Sequence, residues 1–100
     1  MIEFVEEQEF NYLNRDELAY RASLVTEIYR ELDRAMSEYG PFHSAHEGYA
    51  VLLEELDEVW DEIKKDDSKR AREELVQVGA MVLKLLRFLD TDRREAGAPK

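Results

Sequence analysis

The chain has no cysteine and only two prolines and four glycines in 100 residues. Without cysteine there can be no disulfide, no thiolate nucleophile and no thiolate-bound metal. No apolar run approaches the roughly 20 residues of a membrane-spanning helix. The first ten residues hold four glutamates, whereas a signal peptide begins with basic residues. We therefore expect a cytoplasmic protein with no membrane association.

Positive charge is also scarce. The chain has 14 lysines and arginines and 24 aspartates and glutamates, which gives a net charge of -10. Nucleic-acid polymers and anionic membranes both favour clustered cations, so neither is an expected partner. The length fits one domain, and the 44% of apolar residues can form its core. We expect a single domain over residues 1–100.

Helical periodicity is the main pattern that is present. Asn14 with Glu17, and Ser44 with Glu47, have the spacing of a capping box, which predicts helices that begin near Arg15 and at Ala45. Gly40 is suited to the left-handed position that ends a helix. The second helix has an apolar stripe of the width expected against a core, formed by Tyr49, Leu52, Leu53, Leu56, Val59, Trp60 and Ile63.

A third helix is predicted over about residues 69–89, after a polar turn at 64–68 in which Asp67 or Ser68 can cap it. Residues 75–89 are apolar on nearly all sides, which a small monomer cannot bury. We therefore predict an all-α antiparallel helical bundle completed by homo-oligomerisation, as a homodimer or homotetramer. We expect residues 1–14 to form an N-terminal arm, with a short helix within 1–13, and residues 91–100 to form a flexible tail.

The second helix carries six carboxylates in the nine residues EELDEVWDE at positions 54–62. At 100° per residue they form two rows, and like charges one turn apart repel each other. A solvated face is the simplest explanation, and a bound divalent cation is the alternative, since Mg²⁺ prefers carboxylate oxygens. The row of Glu55, Glu58 and Glu62 adjoins the apolar stripe. An antiparallel third helix brings Glu74 and Gln77 within reach of it, which can assemble a four-ligand site.

These residues resemble the motifs of a known family. Glu54-Glu55-Leu56-Asp57-Glu58 matches the EExxE motif of the MazG-like all-α nucleoside triphosphate pyrophosphohydrolases. Residues 74–77, Glu-Leu-Val-Gln, stand where that family carries ExxD. The stretch 39–89, about half of the chain, is similar to the short phage and bacterial MazG-like proteins.

The resemblance implies a helical bundle completed by dimerisation, sometimes as a dimer of dimers. It also implies Mg²⁺-dependent hydrolysis of a nucleoside triphosphate to the monophosphate and pyrophosphate. Glu55, Glu58 and Glu74 would be metal ligands. Glu54 would be a further ligand, would hold a metal ligand in place or would orient water. The catalytic carboxylates implied by the resemblance are Glu54, Glu55 and Glu58.

Gln77 departs from the family pattern, because an amide oxygen can still coordinate Mg²⁺ but brings no negative charge. Two alternatives follow. Either a neighbour such as Glu62 or Glu73 compensates, or the protein is a catalytically weak or inactive MazG-like scaffold that acts as a protein-interaction module.

A nucleotide polyphosphate also needs cations, because the chain is strongly acidic. Arg72 and Lys84 are the predicted phosphate-binding residues, with Arg87, Lys64 and Lys65 as further candidates. Each has a simpler explanation as surface charge. His46 is either helix surface or a phosphate contact, and HSAHE at 43–47 matches no zinc motif. The aromatic candidates for base recognition are Phe42, Tyr49 and Trp60, although Trp60 is more simply explained as core.

Overall fold

The computed structural model describes residues 14–95, which form three α-helices and no strand. They are α1 (Arg15–Tyr39), α2 (Ala45–Lys64) and α3 (Ser68–Glu95). The all-α prediction is confirmed, and the three helices pack as one small domain. The short helix predicted within residues 1–13, and residues 96–100 of the predicted tail, lie outside the described residues. None of the three helices has an apolar stretch long enough to span a bilayer.

The predicted helix caps set the starts of α1 and α2. The Asn14 side chain accepts a hydrogen bond from the backbone N–H of Glu17 at 2.8 Å, and Ser44 Oγ accepts one from the N–H of Glu47 at 3.0 Å. Each bond satisfies an amide that the first turn leaves unpaired. Gly40 ends α1 with φ +73°, in the region that favours glycine.

The third helix begins where predicted and ends later than predicted. Asp67 Oδ1 accepts the backbone N–H of Arg70 at 3.1 Å and so caps α3. The helix continues past the predicted end at Leu89 through Glu95, so residues 91–95 belong to α3 and not to a tail. The chain turns polar after Leu89, but polarity does not stop a helix, and the next glycine and proline are Gly97 and Pro99.

Helix α3 is the central element, because α1 and α2 both pack on it and scarcely touch each other. At Gly48, a Cβ atom would lie 2.5 Å from Leu85 Cδ1 and 3.0 Å from the Phe42 ring. A larger residue here would require the Leu85 side chain or the Phe42 ring to shift, so Gly48 favours the close approach of α2 to α3. The buried core comprises Leu32, Ala35, Phe42, Ala80 and Met81.

The apolar stripe of α2 packs differently from the prediction. Only Val59 of the stripe is buried, whereas Leu56 is 49% and Trp60 56% exposed, so the interpretation of Trp60 as core is wrong for the single chain. Helix α2 turns Gly48, Val59 and the half-buried Glu55 and Glu62 towards α3. Leu52 of the stripe is half-buried against the core, whereas Tyr49, Leu53, Leu56, Trp60 and Ile63 are exposed.

Candidate metal and nucleotide site

Three glutamates from two helices converge beside the α2–α3 packing. The short turn between α2 and α3 makes them antiparallel, and this places Glu74, in the second turn of α3, against the acidic row of α2. One carboxylate oxygen from each of Glu55, Glu58 and Glu74 lies within 4.8 Å of the other two. The structure thus brings together three of the four predicted metal ligands.

Part of this cluster is removed from water. Glu55 Oε2 and Glu74 Oε2 are both buried and, within the described part of the chain, neither has a hydrogen-bond donor. A buried acceptor without a donor carries a desolvation penalty. A proton or a cation bound to these carboxylates would offset this penalty.

The pKa values of Glu55 and Glu74 are raised in this partly buried, negatively charged environment. Burial, followed by the charge of Glu58, raises the pKa of Glu55 to about 7. Burial and then Glu58 also raise the pKa of Glu74, with Arg70 acting in the opposite direction. Lost hydration and the neighbouring negative charges both favour the protonated form of these carboxyl groups. A divalent cation would relieve the repulsion between the carboxylates in the same way as a proton.

The dimensions of the cluster fit a hard divalent cation. Mg²⁺ binds oxygen at about 2.0–2.1 Å in an octahedron, so two of its ligands are separated by about 3–4.2 Å. The glutamate oxygens lie within 4.8 Å of each other, so they need to move by less than about 1 Å to reach this spacing. The three carboxylates can therefore hold one metal ion.

The neighbouring acidic residues do not join the cluster. Glu62 lies between Lys65 at 4.0 Å and Arg70 at 3.9 Å, and Glu73 pairs with Lys69 at 3.4 Å. Neither brings an oxygen into the group of three. Neither Glu62 nor Glu73 therefore adds a fourth carboxylate to the cluster.

A cavity of about 390 Å³ lies beside the cluster, between all three helices. Of the predicted site residues it is lined by Glu54, Glu55, Gln77 and Lys84. Its other walls include the ring of Phe42 and, from α1, Arg34 and Tyr39. The cavity therefore combines an aromatic wall with a lysine and several carboxylates in one concave site.

Two of the predicted phosphate-binding residues are not among the cavity lining. Arg72 makes a bidentate ion pair with Glu27 of α1, at 2.8 and 2.9 Å, so it joins α1 to α3. His46 is exposed on the first turn of α2. Of the aromatic candidates only Phe42 lines the cavity, while Tyr49 is 64% exposed.

Arg34 and Tyr39 of α1 are cavity residues that the sequence analysis did not find. Arg34 lies three residues after Glu31 and four before Glu38, and bonds both carboxylates at 2.6 Å. This spacing is typical of ordinary surface ion pairs on a helix. The sequence holds no signal that α1 packs with this face towards α2 and α3.

No known family model, curated protein or solved structure matches this chain. The glutamate cluster is consistent with the site of the MazG-like family that the sequence resembles. What the fold itself shows is a small all-α three-helix domain with a cluster of three glutamates.

Proposed function

We propose that this protein is a Mg²⁺-dependent nucleoside triphosphate pyrophosphohydrolase of the MazG-like type. The observation that carries the proposal is the convergence of Glu55, Glu58 and Glu74 on a point where buried carboxylate oxygens lack a partner. Mg²⁺ held there would neutralise phosphate charge and supply an activated water. The chain itself contributes the ligands and the cavity that admits the nucleotide.

Each cavity residue has a role in this reaction. Glu55 is shared by the cluster and the cavity wall, so a ligand in the cavity reaches the metal ligands directly. Glu54 lines the same cavity without belonging to the cluster, which suits a carboxylate that orients water. Phe42 contributes apolar surface to the cavity for a nucleobase, while Gln77 contributes an uncharged amide.

The test is pyrophosphate release from a panel of normal and modified nucleoside triphosphates, with and without Mg²⁺. Glu58→Gln removes one charge from the cluster and should reduce activity by about two orders of magnitude, the scale on which one electrostatic group of an active site acts. Asp57→Asn is the matched control, since Asp57 is the exposed neighbour of Glu58 outside the cluster. It should retain wild-type activity.

A metal titration separates binding from catalysis. Bound Mg²⁺ stabilises the native state by mass action, by about 2.7 kcal/mol at 100 times the Kd, so the melting temperature should rise for wild type and Asp57→Asn but not for Glu58→Gln. No hydrolysis from any triphosphate, with equal melting curves for the two variants, would instead favour the alternative function: a MazG-like interaction module without activity.

We also propose that the protein works as a homo-oligomer, a dimer or a dimer of dimers. Helices α2 and α3 leave many large apolar side chains exposed, and a contiguous exposed apolar surface is typical of a protein interface. The exposed apolar residues that would supply an interface include Tyr49, Leu53, Leu56, Trp60 and Ile63 on α2 and Leu75, Val82, Leu86 and Leu89 on α3.

This apolar face points away from the cavity. At 100° per residue, Val82 and Leu86 each lie about 160° around α3 from Lys84, and Leu56 lies about 160° around α2 from Glu54. A second copy can therefore cover the face while both cavities stay open. Acidic flanks on α2 disfavour pairing α2 with α2, so we expect α2 of one chain to face α3 of its partner.

Sedimentation analysis tests this arrangement. Wild type should sediment as a multiple of 11.8 kDa at micromolar concentration. Leu56→Lys, on the apolar face, should shift it towards monomer, while Asp57→Lys next to it should not. A wild-type protein that sediments as a monomer would contradict the proposal.

A further inference from the structure

Lys84 is a buried lysine that has no anionic partner among the described residues. Its residue is only 5% exposed, yet it lines the cavity of about 390 Å³ that also contains Glu55. Within the described residues it makes neither a hydrogen bond nor an ion pair. Its ammonium lies 4.2 Å from the centroid of the Phe42 ring and 5.9 Å from that of Tyr39.

The surroundings stabilise this charge only in part. Aromatic faces attract a cation, but a buried ammonium ordinarily needs a charged or hydrogen-bonded partner as well. Burial lowers the pKa of Lys84, and the more distant Glu47 only partly opposes this. Glu47 itself accepts the backbone N–H of His43 at 2.6 Å, so it is already engaged.

The other cation of the cavity is already neutralised. Arg34 donates to Glu31 and Glu38, both at 2.6 Å. Lys84 is therefore the cavity cation that remains without a carboxylate partner in the part of the chain that the structure describes. The ammonium packs against the Phe42 ring, and the cavity that Lys84 lines is large enough for a phosphate group.

We propose that Lys84 binds a phosphate oxygen of the ligand, and that this cavity is a phosphate subsite that operates without a divalent cation. This inference rests on the proposed function for its choice of anion, since the cavity leads to the glutamate cluster through Glu55. The carboxylates of the wall repel an anion, so metal-free affinity is weak, in the millimolar range. A lysine donates to phosphate as a point charge and needs no special geometry.

The experiment is an NMR titration of the full chain in EDTA, with inorganic pyrophosphate in one arm and a nucleoside monophosphate in the other. Wild type should show saturable shifts at Phe42 and at the backbone of α3 around Lys84 in at least one arm. Saturation by pyrophosphate assigns Lys84 to the leaving group, and saturation by the monophosphate assigns it to the retained phosphate.

Three variants make the result specific. Lys84→Met keeps the length of the side chain and removes its charge, and should weaken binding at least tenfold, whereas Lys84→Arg should retain it. Lys64→Met is the matched control, because Lys64 also lies over an aromatic ring, Trp60 at 5.7 Å, but is exposed and outside the cavity. It should bind as wild type does.

Lack of saturation in both arms, or equal affinity of Lys84→Met and Lys64→Met, overturns the proposal. If Lys84→Met fails to fold, the comparison of Lys84→Arg with wild type decides, since loss of binding with the charge retained contradicts a charge-based subsite. The outcome is distinct from that of the proposed function. A protein that binds pyrophosphate through Lys84 and hydrolyses no triphosphate would keep this inference and refute the enzyme.

Discussion

Glu55 of α2 and Glu74 of α3 each have one buried carboxylate oxygen that accepts no hydrogen bond from residues 14–95, and oxygens of the two residues lie within 4.8 Å of each other. Two like charges at this distance in a partly dehydrated site repel each other strongly. Folding alone gives no reason to bring them together, because an apolar pair would pack here without this penalty. A bound divalent cation, as proposed above, would remove this penalty.

Without metal, the protein should become less stable as the pH rises from 5 to 8. The pKa of Glu55 is raised from 4.5 to about 7 by folding, so the folded form binds this proton more tightly than the unfolded form. The resulting stabilisation is complete below about pH 4.5 and is lost as the pH rises through about 7. We expect a loss of about 1–2 kcal/mol, allowing for solvent screening of a half-buried group, measured by urea unfolding in EDTA at fixed protein concentration.

Glu55→Gln should flatten this pH dependence, and Glu47→Gln should not. The pKa of Glu47 is lowered, chiefly by the backbone N–H of His43, so its contribution is present above about pH 4.5 and is lost only at lower pH. A slope that survives unchanged in Glu55→Gln would show that another group produces it.

Gln77→Asp should strengthen metal binding. Residue 77 lines the cavity together with Glu55, and a carboxylate there adds a negative charge close to the three glutamates. We expect Mg²⁺ to bind about tenfold more tightly, equivalent to about 1.4 kcal/mol, as measured by calorimetry. Gln77→Asn, which adds no charge, is the control, and equal affinity of the two variants would place residue 77 too far away to act on the ion.

Arg72→Lys should affect stability and leave catalysis unchanged. The guanidinium holds Glu27 by two hydrogen bonds at 2.8 and 2.9 Å, a geometry that lysine cannot reproduce. Because both side chains are exposed, we expect only a small decrease in melting temperature, which shrinks further in high salt. A reduced kcat/KM with an unchanged melting temperature would instead indicate that Arg72 binds the substrate phosphate, as the sequence predicts.

Gly40→Ala should destabilise the fold by about 1–3 kcal/mol. Gly40 has φ +73° and ψ -172°, a conformation that is essentially restricted to glycine. Gly79→Ala is the comparison, since a Cβ there meets Ile28 at 3.2 Å, and this tightness offsets the gain in helix propensity. Urea unfolding should show the larger loss at Gly40, and equal losses would mean that α1 ends in another way in solution.

The local structure was largely predictable because its signals are local. Asn14 and Ser44 cap α1 and α2 as their spacing predicts, and Asp67 is the cap of α3 from the two alternatives that the sequence offered. The row of Glu55, Glu58 and Glu62 was predicted to face the third helix, and Glu55 and Glu62 are the half-buried acids of α2. The end of α3 was missed, since a helix stops at a breaker and not where its apolar face ends.

The sequence by itself determined three amphipathic helices, their order, and the acidic row that carries the proposed metal site, because hydrophobic period, caps and charge are all properties of neighbouring residues. Only the tertiary structure decided which of these groups meet. It joined Glu74 to the pair on α2, directed Arg72 to Glu27, and buried Lys84 against Phe42 in a cavity completed by α1. These contacts depend on the rotation of each helix about its axis. Close packing at Gly48 and in the core determines that rotation, and no short stretch of sequence encodes it.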